Sequence, residues 1–365
     1  MILVTGASGT IGSSVLRLLR DRGGPVRAMT RTPATIAAAI SRSASAAISG
    51  SASGSAAAPG SGSASTPSEV EVVRGDYDDP ASLRRAVTDV EAVFLLTAPA
   101  SPTPRHDLAL VEAARAAGVA RIVKLSAIGT GERLGTGEGF GAREGFGTGE
   151  RFGTGEGFGT GEGLGTGEGF GTGEGFGAGE GAGADQVVGG WHLRAEQAVR
   201  ASGLAWTLLS PSSFASNTLG WAGAIAAGAP VPNLTGAARQ GVIDPRDVAE
   251  VAVAALTSDG HAGRTYTLTG PAVISVPEQA EVLAELLGRP IDTVDLPDDA
   301  ARQRLTAAGL GPAAVRATLV GSAWARAGRN EIVTDDVPRI LGRPAGTFRA
   351  WAEDHRADFG VSAGG

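Results

Sequence analysis

A chain of 365 residues that is 42% hydrophobic and 19% charged holds enough apolar material for one large domain or two small ones. It has no cysteine, which excludes disulfides, a thiolate nucleophile and a zinc–thiolate centre, so redox chemistry needs a borrowed cofactor and no metal site is expected. The net charge of −7 is local: residues 129–187 carry nine Glu, one Asp and three Arg, the rest of the chain is neutral, and without a basic stripe and interleaved aromatics no nucleic-acid binding is expected.

The opening "MILVTGASG" has no basic stretch and only a short apolar run, so neither a signal peptide nor a membrane span is expected there, and a cytoplasmic location follows. A strand over residues 2–5 runs into Gly6, Gly9 and Gly12, and a helix over 11–22 begins at once. In that context Gly6 permits a tight turn, Gly9 lets backbone approach a pyrophosphate, and Gly12 allows close helix–sheet packing. Ser8, Thr10 and Ile11 line the helix N-terminus, whose N–H groups and positive dipole end suit a phosphate. The second strand, 26–30, ends in "TRT" where an NAD site would place Asp or Glu. Arg31 suits a 2′-phosphate instead, so NADP(H) is favoured over NAD(H).

Residues 36–68 are a Ser/Ala/Gly stretch with a single Arg and no acid. Beyond it lies a strand at 70–74, after which Asp76 either meets an adenine edge or caps its own turn. Asp79-Pro80 opens a helix over 80–87. Strands at 93–97, 122–126 and 206–209 alternate with helices at 108–117 and 193–202. "PRDVAEVAVAAL" reads as a helix and "RTYTLTG" as a strand; Ser275 and Glu278 have capping-box spacing. The alternation predicts a Rossmann-type α/β fold, a doubly wound parallel sheet forming one NAD(P)-binding domain over 1–365, with a smaller, mostly helical, substrate-side lobe over 270–365.

Residues 129–187 hold a glycine-rich hexapeptide repeat, with Glu at every sixth position from Glu132 to Glu180. Such a composition buries too little side-chain area to offset the entropy of ordering it. A stacked β-helix is the ordered alternative. Both low-complexity stretches are expected as surface insertions between sheet elements, the second an acidic flap without fixed structure.

The glycine motif, together with "VFLLTAP", "EAARAAGVARIVKLSAIG", "HLRAEQAVRASGLAWTLLSPSSFASN", "VIDPRDVAEVAVAALT", "GRTYTLTGP" and "TDDVPRILGRPAGTFRAWAEDH", resembles the NmrA-like atypical short-chain dehydrogenase/reductases, a group that includes quinone and dye reductases. The likeness covers nearly everything outside the two insertions. It implies an NADPH-dependent reductase of a quinone-like or conjugated small-molecule acceptor. The alternative is a non-catalytic redox sensor that reports NAD(P) to a regulatory protein partner; a homodimer suits either reading, and no membrane partner is expected.

One departure from the wider superfamily stands out. Its Tyr-x-x-x-Lys pair cannot exist here, because Lys124 is the only lysine and the residue four before it is Ala120. In the helix where that pair belongs, His192 and Glu196 share the same spacing and so one face. His192 is a candidate proton donor, which would titrate near 6.5, or else a histidine bonded to backbone; Glu196 reads as structural. The resemblance puts Lys124, with Ser126, at the nicotinamide ribose and substrate, and Thr97, Ala98 and Pro99 beside the same crevice. Ser210 and Pro211 would pass the carboxamide, although Ser210 stands where the family has arginine. Phe214, Asn217 and Trp221 follow at near-helical spacing as a pocket wall or as core.

Overall fold

In the computed structural model, which describes residues 1–34, 36, 69–97, 102–134 and 187–360, the strands in chain order are β1 (Ile2–Val4), β2 (Val26–Thr30), β3 (Val70–Arg74), β4 (Ala92–Leu95), β5 (Arg121–Leu125), β6 (Ala205–Pro211), β7 (Val231–Asn233), β8 (Arg264–Leu268) and β9 (Thr293–Asp295). Seven of them form one sheet in the order β3-β2-β1-β4-β5-β6-β8, with every pair parallel. The chain winds outward from β1 to β3 and then restarts on the other side at β4, which puts the topological switch point between β1 and β4. Thr5 ties that point together: its Oγ1 lies 3.0 Å from the carbonyls of Phe94 and Leu96 and accepts the Leu96 N–H at 2.8 Å.

The period-2 alternation of strand side chains feeds two cores. Val4, Ala28, Phe94, Val123, Leu125 and Leu209 face one way, against α1 (Thr10–Asp21) and α6 (Pro245–Thr257). Leu3, Met29, Val93, Leu95, Ile122 and Leu208 face the other, against α2 (Pro80–Ala86), α3 (Arg105–Ala116) and α4 (Gly190–Ala201). The caps read from sequence are present: Asp79 accepts from the N–H groups of Ala81 and Ser82, and Ser275 and Glu278 close a full capping box on α7 (Val276–Leu287). Among the described residues no helix is long and apolar enough to cross a membrane.

A third core gathers Val231, Leu283, Phe348, Trp351 and Phe359 around α5 (Ala222–Ala226), α7 and α11 (Phe348–Asp354). A small fourth one joins α8 (Asp298–Ala307) to α9 (Pro312–Arg326). Not every element after residue 270 packs in these two cores. α10 (Asp336–Leu341) returns to the main sheet, where Val337 and Ala345 join the core under α6. The reason is the open edge of β8: Asp336 Oδ2 accepts the Thr267 N–H at 2.8 Å and Thr334 Oγ1 donates to the Thr267 carbonyl, covering backbone groups that no eighth strand pairs.

Residues 37–68 and 135–186, which hold most of the two low-complexity stretches, lie outside the described residues. The mouth of the second stretch does not. Arg133 and Val187 form an antiparallel bridge, the Gly131 N–H donates to Val188 O and the Val188 N–H to Glu132 O, both at 2.9 Å. Glu132, the first glutamate of the hexapeptide register, accepts from Trp324 Nε1 at 2.9 Å and pairs with Arg329 at 3.6 Å. Residues 129–134 are thus part of the folded unit, a neck pinned to α9, and the insertion proper begins after Leu134.

Because the neck already brings residues 133 and 187 together, replacing 135–186 with a short Gly/Ser linker should leave the thermal midpoint within about 2 °C of the full chain. Trimming further, to remove 131–134, breaks the bridge and the Glu132–Trp324 bond and should cost about 1–3 kcal/mol. Thermal unfolding of the two deletions distinguishes these outcomes; equal midpoints would show that the neck contributes nothing.

Candidate cofactor crevice and its polar cluster

At the C-terminal end of β1 the chain turns sharply through Gly6, whose φ of +62° is open to glycine and whose added Cβ would come within 2.8 Å of the Leu96 side chain. Gly12 sits in the first turn of α1 against that same turn. A Cβ there would lie 2.1 Å from the Gly6 carbonyl oxygen, so only glycine lets helix and strand approach this closely. Gly9 caps α1 without a side-chain hydrogen bond, there is no acid in the first turn, and the first intrahelical donor is the Ser13 N–H to Gly9 O. The N–H groups of Thr10, Ile11 and Gly12 therefore have no helical acceptor. Ser8, Gly9 and Thr10 are exposed above them while Ile11 and Gly12 are buried. This cradle fits an anionic pyrophosphate.

Arg31 is exposed just past β2, where Thr30 Oγ1 accepts the Thr32 N–H at 3.1 Å and shapes the turn. Asp76 caps its own turn, with Oδ1 accepting the Asp78 N–H at 3.1 Å. Next to it Tyr77 stacks on His106 at 5.0 Å and donates to Leu96 O at 3.3 Å; burial pushes its phenol well above the usual range.

Between β4, β5, α3 and α4 lies a polar cluster. Lys124 projects from β5 onto the α3 side, and its side chain and that of Asp107 are both fully buried. Lys124 Nζ donates to Asp107 Oδ1 at 2.7 Å and to Leu125 O at 3.1 Å, and Thr97 Oγ1 donates to Asp107 Oδ2 at 2.6 Å. Ser126 Oγ donates to Glu196 Oε1 at 2.5 Å, and Arg200 pairs with the other carboxylate oxygen at 3.6 Å. Glu196 thus has the structural partners expected of it.

His192 has neither the proton affinity nor the backbone bond expected for it. Its ring stacks on Trp191 at 3.6 Å and its Nδ1 is buried with no hydrogen-bond partner among the described residues. Burial first, and the Lys124 charge second, push its pKa down to about 3. A pKa lowered this far works against the proton donor titrating near 6.5 that the sequence suggested.

Of the remaining expectations, Thr97 serves Asp107, and Ala98 and Pro99 lie outside the described residues. Ser210 and Pro211 are buried at the end of β6, opposite Thr267 and Leu268. Phe214, Asn217 and Trp221 do not converge. Phe214 packs against the sheet core and Trp221 against the third core, while Asn217 is exposed and donates to Ser213 Oγ at 3.3 Å. Asp107 is the residue that sequence reasoning missed. Its signal was present: Asp107, Leu110, Val111 and Ala114 form one buried stripe on α3, so a lone acid sits on an apolar face.

The model of the NmrA-like family matches residues 1–134. A (4-alkanoyl-5-oxo-2,5-dihydrofuran-3-yl)methyl phosphate reductase of Streptomyces griseus is 35% identical over 359 residues, 98% of this chain and 99% of that protein. An NAD(P)H azoreductase of Xenophilus azovorans is 30% identical over 99% of this chain and all of its own length. In fold, the chain is similar to an NADPH-dependent quinone oxidoreductase of Escherichia coli crystallised with NADPH, at a TM-score of 0.66 and 19% identity over 97% of this chain and 99% of that one. The chain belongs to the NmrA-like family.

Two outcomes follow from this geometry. Gly12→Ala forces a methyl group against immobile backbone and should cost about 2–3 kcal/mol or more, lowering the thermal midpoint by about 5–10 °C. His192 has a folded pKa below its unfolded value, so the unfolded chain binds the extra proton and stability is lost as pH falls from about 6.5 toward 3. Between pH 7 and 5 this group should remove about 2 kcal/mol. Urea unfolding at the two pH values should show a correspondingly smaller loss in His192→Gln; an identical loss would remove His192 from the account.

Proposed function

We propose that this chain reduces an electron-poor conjugated double bond, in a quinone-like or related small-molecule acceptor, with hydride from NADPH. The oxidoreductase class itself is that of its two full-length curated relatives, both reductases. The observation that carries the acceptor class is the absence, among the described side chains around β5, of a group that can deliver a proton at neutral pH. The His192 pKa is pushed far down, the Lys124 ammonium is enclosed by Asp107, and burial makes the Tyr77 phenol a weaker acid than usual. A ketone or imine would need such a group in the transition state. A quinone or other conjugated acceptor does not, because the anion left after hydride addition is delocalised and takes its proton from solvent. The dihydrofuranone and azo substrates in the relatives' names also carry conjugated or electron-poor double bonds.

In this reading Ser8, Gly9, Thr10, Ile11 and Gly12 hold the pyrophosphate on the N-terminus of α1, and Gly6 provides the turn beneath it. Arg31 pairs with the 2′-phosphate, and Asp76 and Thr97 border the crevice. When bound, NADPH supplies the hydride. His192 offers a hydrogen bond to the acceptor, and the neighbouring Trp191 ring excludes water. Lys124 acts from behind, as a positioning residue that does not touch substrate.

Purified protein mixed with NADPH and a panel of small quinones should consume NADPH, followed as loss of absorbance. Tight binding of NADP⁺ and NADPH with no turnover on any acceptor would overturn the catalytic reading in favour of a sensor. For the cofactor, Arg31→Asp should weaken NADPH at least tenfold and improve NADH, since a charge-assisted contact of about 1.5–3 kcal/mol is replaced by repulsion. An unchanged NADPH/NADH affinity ratio would refute the 2′-phosphate contact.

A further inference from the structure

We propose that Asp107 is a positioning residue of this site: by clamping Lys124 it holds a fixed charge behind the Trp191–His192 stack and keeps His192 a neutral hydrogen-bond donor. The inference rests on the reductase reading for its consequence in turnover, but its structural claim is independent of which acceptor is reduced.

Three observations support it. First, the pair is not what packing alone requires. Lys124 is the only lysine among 31 basic residues, and both its side chain and that of Asp107 are wholly enclosed. A buried ion pair gains little or nothing over apolar side chains of the same volume.

Second, the pair is locked. Asp107 sits in the first turn of α3 and accepts from β5 through Lys124 and from the end of β4 through Thr97, so both carboxylate oxygens are used. Lys124 spends two donors on Asp107 and Leu125, and its ammonium lies 5.8 Å from the Trp191 ring centroid. That ring stacks directly on His192. The Lys124 ammonium and the His192 imidazole thus both lie against the Trp191 ring.

Third, His192 Nδ1 is buried without a partner. A proton on Nδ1 would be an N–H with nothing to donate to, in the positive field of Lys124. The favoured form carries the proton on Nε2, the nitrogen left to meet a ligand. The charged groups around the ring are Lys124 from β5, with Asp107 behind it on α3, and Glu196 one turn further along α4, whose carboxylate is committed to Ser126 and Arg200. Thr130 from the neck packs against Gly189 beside the same ring. The Lys124 ammonium is the cation in this set that disfavours imidazolium, and Asp107 determines where that cation stands.

The test uses the full chain and two variants. Asp107→Asn removes the countercharge and should lower the thermal midpoint. The double variant Asp107→Leu with Lys124→Met replaces the pair by apolar side chains and should regain most of that loss. If the pair only braces the fold, turnover recovers with stability in the double variant, and the proposal is overturned. If it positions His192, kcat in the double variant stays at least tenfold below the full chain while NADPH affinity changes less than threefold. A second readout needs no activity. In ¹⁵N-histidine-labelled protein, with the His192 signals assigned through His192→Gln, the full chain should show one Nε2–H tautomer, and the double variant should populate both tautomers. Identical His192 signals in the two proteins overturn the proposal. Absence of NADPH consumption by the full chain itself would instead strike the reductase reading and leave the tautomer comparison standing.

Discussion

The start of the sheet is organised by one close approach between backbones. α1 starts where it does because Gly12 has no side chain to strike the Gly6 carbonyl oxygen, and the turn before it closes because Gly6 can take a positive φ. That approach seats the helix N-terminus over the end of β1 with three N–H groups unspent. It also places Leu96 and Thr97, at the end of β4, beside the same opening, through the Thr5 bonds that hold the switch point together. The cradle and the opening beside it thus share one packing event at the C-terminal end of β1.

The chemistry of the neighbouring cluster is set by exclusion. A carboxylate and an ammonium that neutralise each other inside the protein leave no mobile proton there, and the imidazole above them is too enclosed and too close to positive charge to hold one. What survives is hydrogen-bond geometry. Such a site is poorly matched to reactions limited by proton delivery and well matched to those limited by orienting an acceptor that already welcomes hydride.

The neck over residues 129–134 and 187–189 is a closed element of the folded unit. Its two ends are bridged at Arg133 and Val187 and anchored on Trp324, so the glycine-rich insertion enters and leaves the fold through one short ladder. Thr130 and the His192 ring lie beside Gly189 at this neck.

Much of this was determined by the sequence alone. The strand runs at residues 2–5, 26–30, 70–74 and 122–126, each within a residue of its observed bounds, the glycine spacing and the caps at Asp79 and Ser275 are local signals, governed by side-chain period, backbone freedom and hydrogen bonds a few residues apart. The family resemblance carried the same elements in the same order. Only the tertiary structure decided that Asp107 meets Lys124, that Glu196 answers Ser126, that His192 has no partner for Nδ1, that Phe214 and Trp221 belong to different cores, and that α10 returns to cover β8. Each of these joins residues from separate elements, where burial and field depend on which helix faces which strand. The proton affinity of His192 is the sharpest case: its identity and helix face were readable along the chain, but its environment is made by Lys124, 68 positions earlier, and by the enclosure that folding builds around them both.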